Sequence, residues 1–169
     1  MVRSNLIIAG SNFVFNHIHK NYGKLITSQK RLLVIFRGIN TEYFDNSNIT
    51  NEKVKSFKSL VNFNTEKFKI LLPGRLTRWK GQEMFIESLK LLKTKHKKEN
   101  FQAIILGSHQ GRSAYFKKLL SMIEKYNLKN NIFFLQHTRE MPVAYYISDV
   151  VVSSSIEPEA FGRISVEAQ

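Results

Sequence analysis

The sequence predicts an α/β fold, in which a parallel sheet carries helices on both faces. From residue 68 onward, short apolar runs alternate with longer stretches of helical periodicity, which is typical of β-α-β units. The apolar runs contain few polar positions, as expected for strands that are covered on both sides. Gly74 and Gly107 follow two of these runs and end them. Together these observations predict the fold class.

The alternating elements continue from residue 68 to the end of the chain. We predict strands at 68–73, 101–107, 131–136 and 149–155. We predict helices at 81–95, 113–126 and 141–148. The second helix has the clearest apolar face, because Phe116, Leu119 and Ile123 recur at helical spacing. Pro142 suits the first turn of the third helix, where a missing N–H costs little.

The first 67 residues follow a less regular pattern. Residues 5–23 predict a strand, a polar break and a helix, and residues 31–40 predict another strand. Residues 41–67 are rich in asparagine and lysine and show little periodicity. We therefore expect residues 41–67 to form a surface connection.

The composition is that of a globular protein. Hydrophobic residues make up 43% of the chain and aromatic residues 12%, which is enough to form a core. The absence of cysteine excludes disulfides and thiolate metal sites, and it suits a reducing compartment. No apolar run approaches the roughly 20 residues that cross a bilayer, and no signal peptide is evident. We expect a cytoplasmic protein.

The formal net charge of +13 favours anionic partners. Nucleic acid, anionic lipid and phosphorylated small molecules all fit such a charge, and composition does not choose among them. The lysine-rich stretches at 53–59 and 93–99 resemble solvated faces, and drift of surface positions toward lysine explains much of the excess. Docking on an anionic membrane surface is the alternative explanation.

Charged residues collect in the loops that follow the predicted strands. Arg75 and Lys80 follow the strand at 68–73, and Glu159 and Glu167 follow the last strand. The carboxyl ends of parallel strands share one edge of a sheet, where ligands bind. Arginine, lysine and helix amino termini bind phosphates, whereas carboxylates accept hydrogen bonds from hydroxyls. The sequence therefore predicts a ligand that is both phosphorylated and rich in hydroxyls.

Two motifs in these loops carry a family resemblance. The first is GRLTRWKG at 74–81, with Gly-Arg, four residues and Lys-Gly. The second is EPEAFGRISVE at 157–167, in which Glu159 and Glu167, with seven residues between them, enclose Phe-Gly. In this order they resemble the donor-binding half of glycosyltransferase family 4, retaining enzymes of the GT-B architecture. The resemblance implies that a nucleoside-diphosphate sugar binds between two Rossmann-like domains and is transferred to an acceptor.

The resemblance extends over residues 5–169 and implies a division of the chain. Residues 1–40 are similar to the end of the amino-terminal acceptor domain, 41–67 to the linker, and 68–169 to an incomplete nucleotide-sugar-binding domain. Because family members are longer, we expect a truncated form without detectable transferase turnover of its own. Arg37-Gly38 stands where the family often has Asn-Gly, so the resemblance assigns no role to Arg37.

The resemblance also implies which side chains are catalytic. Arg75 and Lys80 would bind the donor diphosphate and stabilise its charge as the glycosidic bond breaks. Glu159 would hold hydroxyls of the transferred sugar. The resemblance implies no metal and no cofactor, because the cations supply the charge that the leaving diphosphate needs.

Four further residues complete the donor site that the resemblance implies. Glu167 would bind the ribose, and the backbone N–H groups of Phe161, Gly162 and Arg163 would face the sugar and phosphates. The five histidines form no metal-ligand pattern. His109 and His137 are candidate lining residues of the donor pocket. A loop position without a role in binding is the preferred interpretation for both.

The function that follows is transfer of a sugar to a glycan or lipid-linked acceptor. We expect a role in bacterial lipopolysaccharide or surface polysaccharide synthesis, with peripheral contact at the inner face of the cytoplasmic membrane. One alternative is another GT-B enzyme, such as a phosphorylase or an epimerase. Others are a non-catalytic gene fragment and a basic Rossmann-like module. We expect no nucleic acid partner, because most aromatic residues fall on apolar faces rather than among the cations.

Overall fold

The computed structural model describes residues 4–26 and 31–169. Residues 1–3 and 27–30 of the predicted amino-terminal part lie outside the described residues. The strands are β1 Ile7–Ala9, β2 Leu32–Val34, β3 Phe68–Pro73, β4 Phe101–Leu106, β5 Ile132–Leu135 and β6 Val150–Val151. The helices are α1 Asn12–Tyr22, α2 Asn51–Ser59, α3 Gln82–Thr94, α4 Ser113–Lys125, α5 Met141–Tyr146 and α6 Arg163–Glu167.

The strands form two sheets, both parallel. The small sheet pairs β1 with β2, and the large sheet has four strands in the order β5-β4-β3-β6. Apolar side chains of α3 and α4 pack in one core of the large sheet, and those of α2 and α5 in another. The predicted α/β fold class is therefore confirmed.

The central strands β3 and β4 belong to both cores. Successive residues of a strand point to opposite faces, so their side chains alternate between the two cores. Ile70, Leu72 and Ile105 pack with α3 and α4. Leu71 and Ile104 pack on the other face, with α2 and α5. Burial on both faces explains why these strands are apolar at nearly every position.

The connection between the sheets contains a helix that the sequence analysis did not predict. Within residues 41–67, the helix α2 begins after Thr50, whose side chain accepts a hydrogen bond from the Lys53 N–H at 3.4 Å. Phe57 in α2 and Val61 beyond it are buried against the large sheet. The prediction of a surface connection was incomplete, because a nine-residue helix that buries one side chain shows little periodicity.

The last strand is shorter than predicted. Only the two residues of β6 pair with β3, whereas a strand was expected over 149–155. Beyond β6, Ser154 Oγ donates a hydrogen bond to the carbonyl of Lys80 at 2.9 Å. The N–H of Ile156 donates to the carbonyl of Trp79 at 2.8 Å. These bonds draw the chain away from the sheet and toward the loop that follows β3.

The small sheet has one covered face. Ile7, Ala9 and Leu32 are buried, and apolar side chains of α1 pack against them. On the opposite face, Ile8 and Leu33 are exposed. The strand-helix-strand order predicted for this part is confirmed, although both strands span only three residues.

Candidate functional site

Two loops at the carboxyl edge of the large sheet touch each other. One leaves β3 and makes a 3-10 turn at Arg78–Lys80 before α3, and the other leaves β6. Gly81, between the turn and α3, has a φ of +72°, a left-handed conformation that favours glycine. A Cβ at Gly81 would lie 1.8 Å from the carbonyl oxygen of Ser154. The missing side chain therefore allows the two loops to meet.

The contact between the loops places Lys80 against Glu159. Lys80 Nζ and Ser155 Oγ both donate hydrogen bonds to Glu159 Oε1. Burial alone would raise the pKa of Glu159, but these hydrogen bonds and the charges of Lys80 and Arg75 outweigh it, so the pKa is lowered. Glu159 is therefore an anion at neutral pH. Among the described residues, none donates a hydrogen bond to its Oε2.

Arg75 has an anchored backbone and an exposed side chain. Its carbonyl accepts a hydrogen bond from Gln82 Nε2 at 2.9 Å, and Gln82 is fully buried. The hydroxyl of Tyr115 donates to Gln82 Oε1 at 3.2 Å and fixes the amide. Both Arg75 Cζ and Lys80 Nζ lie over the ring of Trp79, at 5.9 and 4.4 Å from its centroid. The negative face of this ring favours two cations close together.

An open cleft of about 650 Å³ lies beside these loops. Six of the seven residues that the sequence analysis assigned to the site line it: Arg75, Lys80, Glu159, Phe161, Gly162 and Arg163. Arg37, Trp79 and Glu157 also belong to its lining. The seventh predicted residue, Glu167, does not line this cleft.

Glu167 lies one helical turn after Arg163 on α6. Its Oε1 pairs with Arg163 Nη2 at 2.7 Å, and its Oε2 accepts a hydrogen bond from the hydroxyl of Tyr145 at 2.8 Å. Burial raises the pKa of Tyr145, and the hydrogen bond to Glu167 raises it further, so the phenol stays a neutral donor. Glu167 is thus held in place from both sides, with its side chain only 10% exposed.

The two candidate histidines do not line the cleft. His109 stacks on Phe116, with ring centroids 5.5 Å apart, and His137 is exposed. Within residues 4–26 and 31–169, no three His, Asp or Glu side chains are grouped in a way that could hold a metal ion. Over the same ranges, every helix is too short or too polar to span a bilayer.

Comparison with known proteins gives the family. The profile of the family described as glycosyl transferases group 1 matches residues 54–169, more than half of the chain. The chain belongs to this family. The glycosyltransferase from Rickettsia africae ESF-5 has a similar structure, with a TM-score of 0.85 and 32% sequence identity. The match covers 97% of this chain and 41% of the Rickettsia protein.

Two more distant structures share the fold of this group 1 glycosyltransferase chain. Anabaena Alr3699/HepE, solved in complex with UDP and glucose, has a TM-score of 0.79 at 24% identity, covering 98% of this chain and 42% of HepE. WaaG, a glycosyltransferase involved in lipopolysaccharide biosynthesis, has a TM-score of 0.75 at 18% identity, covering 95% of this chain and 40% of WaaG. The chain thus spans about two fifths of the length of these solved structures.

The site of this group 1 glycosyltransferase contains four residues that the sequence motifs did not identify. Gln82 and Ser155 lie close to motif residues, and their hydrogen bonds to Arg75 and Glu159 depend on how each loop folds. Tyr145 contacts Glu167 from α5. The apolar pattern of the helix predicted there indicated that the helix is buried, but it did not indicate this hydrogen bond. Arg37 enters the cleft from the segment after β2, and no sequence pattern indicated it.

Proposed function

We propose that the chain is the donor-nucleotide part of a retaining glycosyltransferase of family 4. The proposed reaction transfers a sugar from a nucleoside-diphosphate sugar to a glycan or lipid-linked acceptor. The observation that carries this proposal is the contact of Lys80 with Glu159 in a cleft that Arg75 also lines. Two cations beside a carboxylate suit a ligand that has a diphosphate at one end and hydroxyls at the other.

Arg75 and Lys80 have the central role in the proposed mechanism. The bond between the anomeric carbon and the phosphate oxygen breaks, and its electron pair stays on that oxygen. The two cations stabilise the charge on the departing diphosphate without a metal ion. The acceptor hydroxyl attacks the same face of the sugar, forms the new glycosidic bond and gives its proton to the departing phosphate. Loss of one preorganised donor typically costs about 10²–10³ in rate.

Glu159 orients the transferred sugar in this proposal. Its Oε2 accepts hydrogen bonds from sugar hydroxyls, while its Oε1 keeps the hydrogen bond from Lys80. The backbone N–H groups of Phe161, Gly162 and Arg163 bind the sugar and phosphates. Apart from its chain neighbours and the adjoining helix backbone, none of the described residues lies within 4 Å of a Cβ built at Gly162, so a ligand can approach closely there.

Glu167 binds the ribose in the proposed complex. Both of its oxygens already accept hydrogen bonds, from Arg163 and Tyr145. A carboxylate offers about four lone-pair sites, so ribose hydroxyls can bind without displacing Tyr145. The side chain of Arg163 is 56% exposed and can turn toward the phosphates when the donor binds.

The donor and the acceptor are proposed from two of the similar structures and from the net charge. HepE was solved with UDP and glucose, and UDP is therefore the first nucleotide to test with this chain. WaaG is involved in lipopolysaccharide biosynthesis, and we propose an acceptor from lipopolysaccharide or surface polysaccharide synthesis. The net charge of +13 supports peripheral contact with the anionic inner face of the cytoplasmic membrane. A Lys or Arg near such a surface contributes about 1 kcal/mol.

The test is calorimetric titration of UDP into the 169-residue chain, with GDP and ADP as parallel titrants. Replacing Arg75→Ala and Lys80→Ala together removes two charged hydrogen-bond donors, so we expect affinity to fall about 100-fold or more. The double variant Arg112→Ala with Lys117→Ala is the matched control. It removes one arginine and one lysine that are exposed outside the cleft.

Two results would contradict the proposed function. Equal affinity of both double variants would show that charge at Arg75 and Lys80 has no special role. Absence of binding of all three nucleoside diphosphates to the unaltered chain at millimolar concentration would contradict donor binding altogether.

A further inference from the structure

We propose that Arg37 is a third phosphate-binding cation of the cleft. This inference rests on the proposed donor function and adds a residue from outside both sequence motifs. Arg37 lies in the segment after β2, so it approaches the cleft from the amino-terminal part of the chain. Arg75 and Lys80, by contrast, belong to the loop after β3.

The side chain of Arg37 lies against a glycine. A Cβ at Gly10 would be 3.2 Å from Arg37 Cγ and 3.3 Å from Arg37 Cδ, which is tighter than ordinary contact. The backbone N–H of Arg37 also donates to the carbonyl of Gly10, at 3.4 Å. Gly10 therefore provides the space along which the aliphatic part of Arg37 runs to the cleft.

The neighbour of Gly10 connects this segment to the loop that carries Glu159. Ser11 Oγ donates a hydrogen bond to the carbonyl of Ala160 at 2.6 Å. Ala160 directly follows Glu159 and also lines the cleft. The base of the Arg37 side chain is therefore fixed relative to the loop in which the donor sugar is proposed to bind.

Within the described parts of the chain, two guanidinium groups of the cleft form no ion pair. Its charged lining consists of Arg37, Arg75, Lys80, Arg163, Glu157 and Glu159. Lys80 and Arg163 each form an ion pair with a glutamate. Among the described residues, neither Arg37 nor Arg75 has a carboxylate at ion-pairing distance. Two unpaired guanidinium groups around one cleft favour an anion, and their planar forks match phosphate oxygens.

The phosphate bound by Arg37 has two possible sources. It is either the distal phosphate of the donor or a phosphate carried by the acceptor, and the chemistry of recognition is the same. Pyrophosphate and UDP represent the donor. Inorganic phosphate added to the chain after saturation with UDP represents the acceptor.

The experiment is a calorimetric titration of these probes into the unaltered chain and single variants. Arg37→Ala removes a charged donor, so we expect a loss of affinity of about tenfold. Arg37→Lys keeps the charge without the fork and should recover part of this loss. Arg112→Ala removes an exposed arginine outside the cleft and should change affinity less than twofold. Because Arg37 is exposed, its variants should unfold thermally like the unaltered chain.

The pattern of losses identifies the source of the phosphate. Weaker binding of both pyrophosphate and UDP to Arg37→Ala supports the proposal and assigns Arg37 to the donor. Unchanged binding of UDP with weaker binding of phosphate to the UDP-saturated variant supports the proposal and assigns Arg37 to the acceptor.

Other outcomes overturn the inference. If Arg37→Ala binds every probe like the unaltered chain while Arg75→Ala loses affinity, the role of Arg37 is wrong and the proposed function stands. If none of the probes binds the unaltered chain, both are wrong. Gly10→Ala gives an independent check. It displaces the side chain of Arg37 without removing it, so its loss of affinity should lie between those of Arg37→Ala and the unaltered chain.

Discussion

The large and small sheets have the same parallel pairing but differ in how they are buried. In the large sheet, β3 and β4 are covered on both faces, and Leu71, Ala103 and Ile105 are 0% exposed. In the small sheet, Ile8 is 53% exposed and Leu33 is 45% exposed on the uncovered face. Buried apolar area stabilises in proportion to its size. The large sheet therefore provides most of the stability, and the segment after the small sheet contributes Arg37 to the cleft.

The largest expected effect tests this difference in stability. Ile105→Ala leaves a cavity in the core of the large sheet and should lower the free energy of unfolding by about 2–5 kcal/mol. Leu32→Ala, in the small sheet, should leave the main transition nearly unchanged and speed amide exchange in α1. Urea denaturation followed by circular dichroism, with hydrogen exchange, measures both. Equal shifts of the main transition would show that the two sheets unfold as one unit.

A smaller effect tests the connection between the two sheets. Ser11 caps α1, where Val14 N–H donates to its Oγ at 3.2 Å, and it also donates to Ala160. Ser11→Ala should destabilise α1 by about 1 kcal/mol. It should also weaken UDP binding, because the hydrogen bond that holds the amino-terminal part of the chain, with Arg37, to Ala160 is lost. Thr50→Ala is the matched control, because it removes the cap of α2 without a contact to the cleft. Equal UDP affinities of both variants would indicate that the position of Arg37 in the cleft does not depend on Ser11.

The smallest effect distinguishes the charged contact of Lys80 with Glu159 from the neutral contact of Ser11 with Ala160. The lowered pKa of Glu159 means that its contact with Lys80 stabilises the folded chain above the ordinary glutamate pKa. This contribution is lost as the pH falls below the ordinary glutamate range and through the lowered pKa of Glu159. The difference in stability between the unaltered chain and Glu159→Gln should therefore disappear in acid. The difference caused by Ser11→Ala should persist, because its partners are neutral. Thermal unfolding over a series of falling pH values, down to the pH at which carboxylates are protonated, compares the two variants. A Glu159→Gln difference that stays constant over the whole series would contradict the charged contact.

Most of the large sheet could be predicted from the sequence, because burial on both faces leaves a strong signal. β3 spans 68–73 as predicted. Each end of α3 and α4 lies within one residue of its predicted position. Two elements differ more. The helix α2 buries only Phe57 and exposes Lys53 and Lys55, so hydrophobic periodicity could not reveal it. β6 ends early because hydrogen bonds to a distant loop redirect the chain.

The site was predictable where a motif and a sheet edge coincide. Arg75, Lys80 and Glu159 follow strand ends in the sequence, and the structure places them around one cleft. Glu167 was predicted from the same motif, but its side chain lies beside Tyr145 and not in that cleft. Arg37 could not be predicted, because its position depends on Gly10, 27 residues earlier, and on the contact of Ser11 with Ala160.

The contact at Gly81 has a consequence for how relatives of this chain are compared. Retention of the charged motif residues is not sufficient for a working cleft, because even an alanine at this position would collide with the backbone at Ser154. A gene copy that keeps Arg75, Lys80 and Glu159 but replaces this glycine would encode the right chemistry in loops that cannot meet. The residue at this position therefore separates copies whose two loops can still meet from copies whose loops cannot.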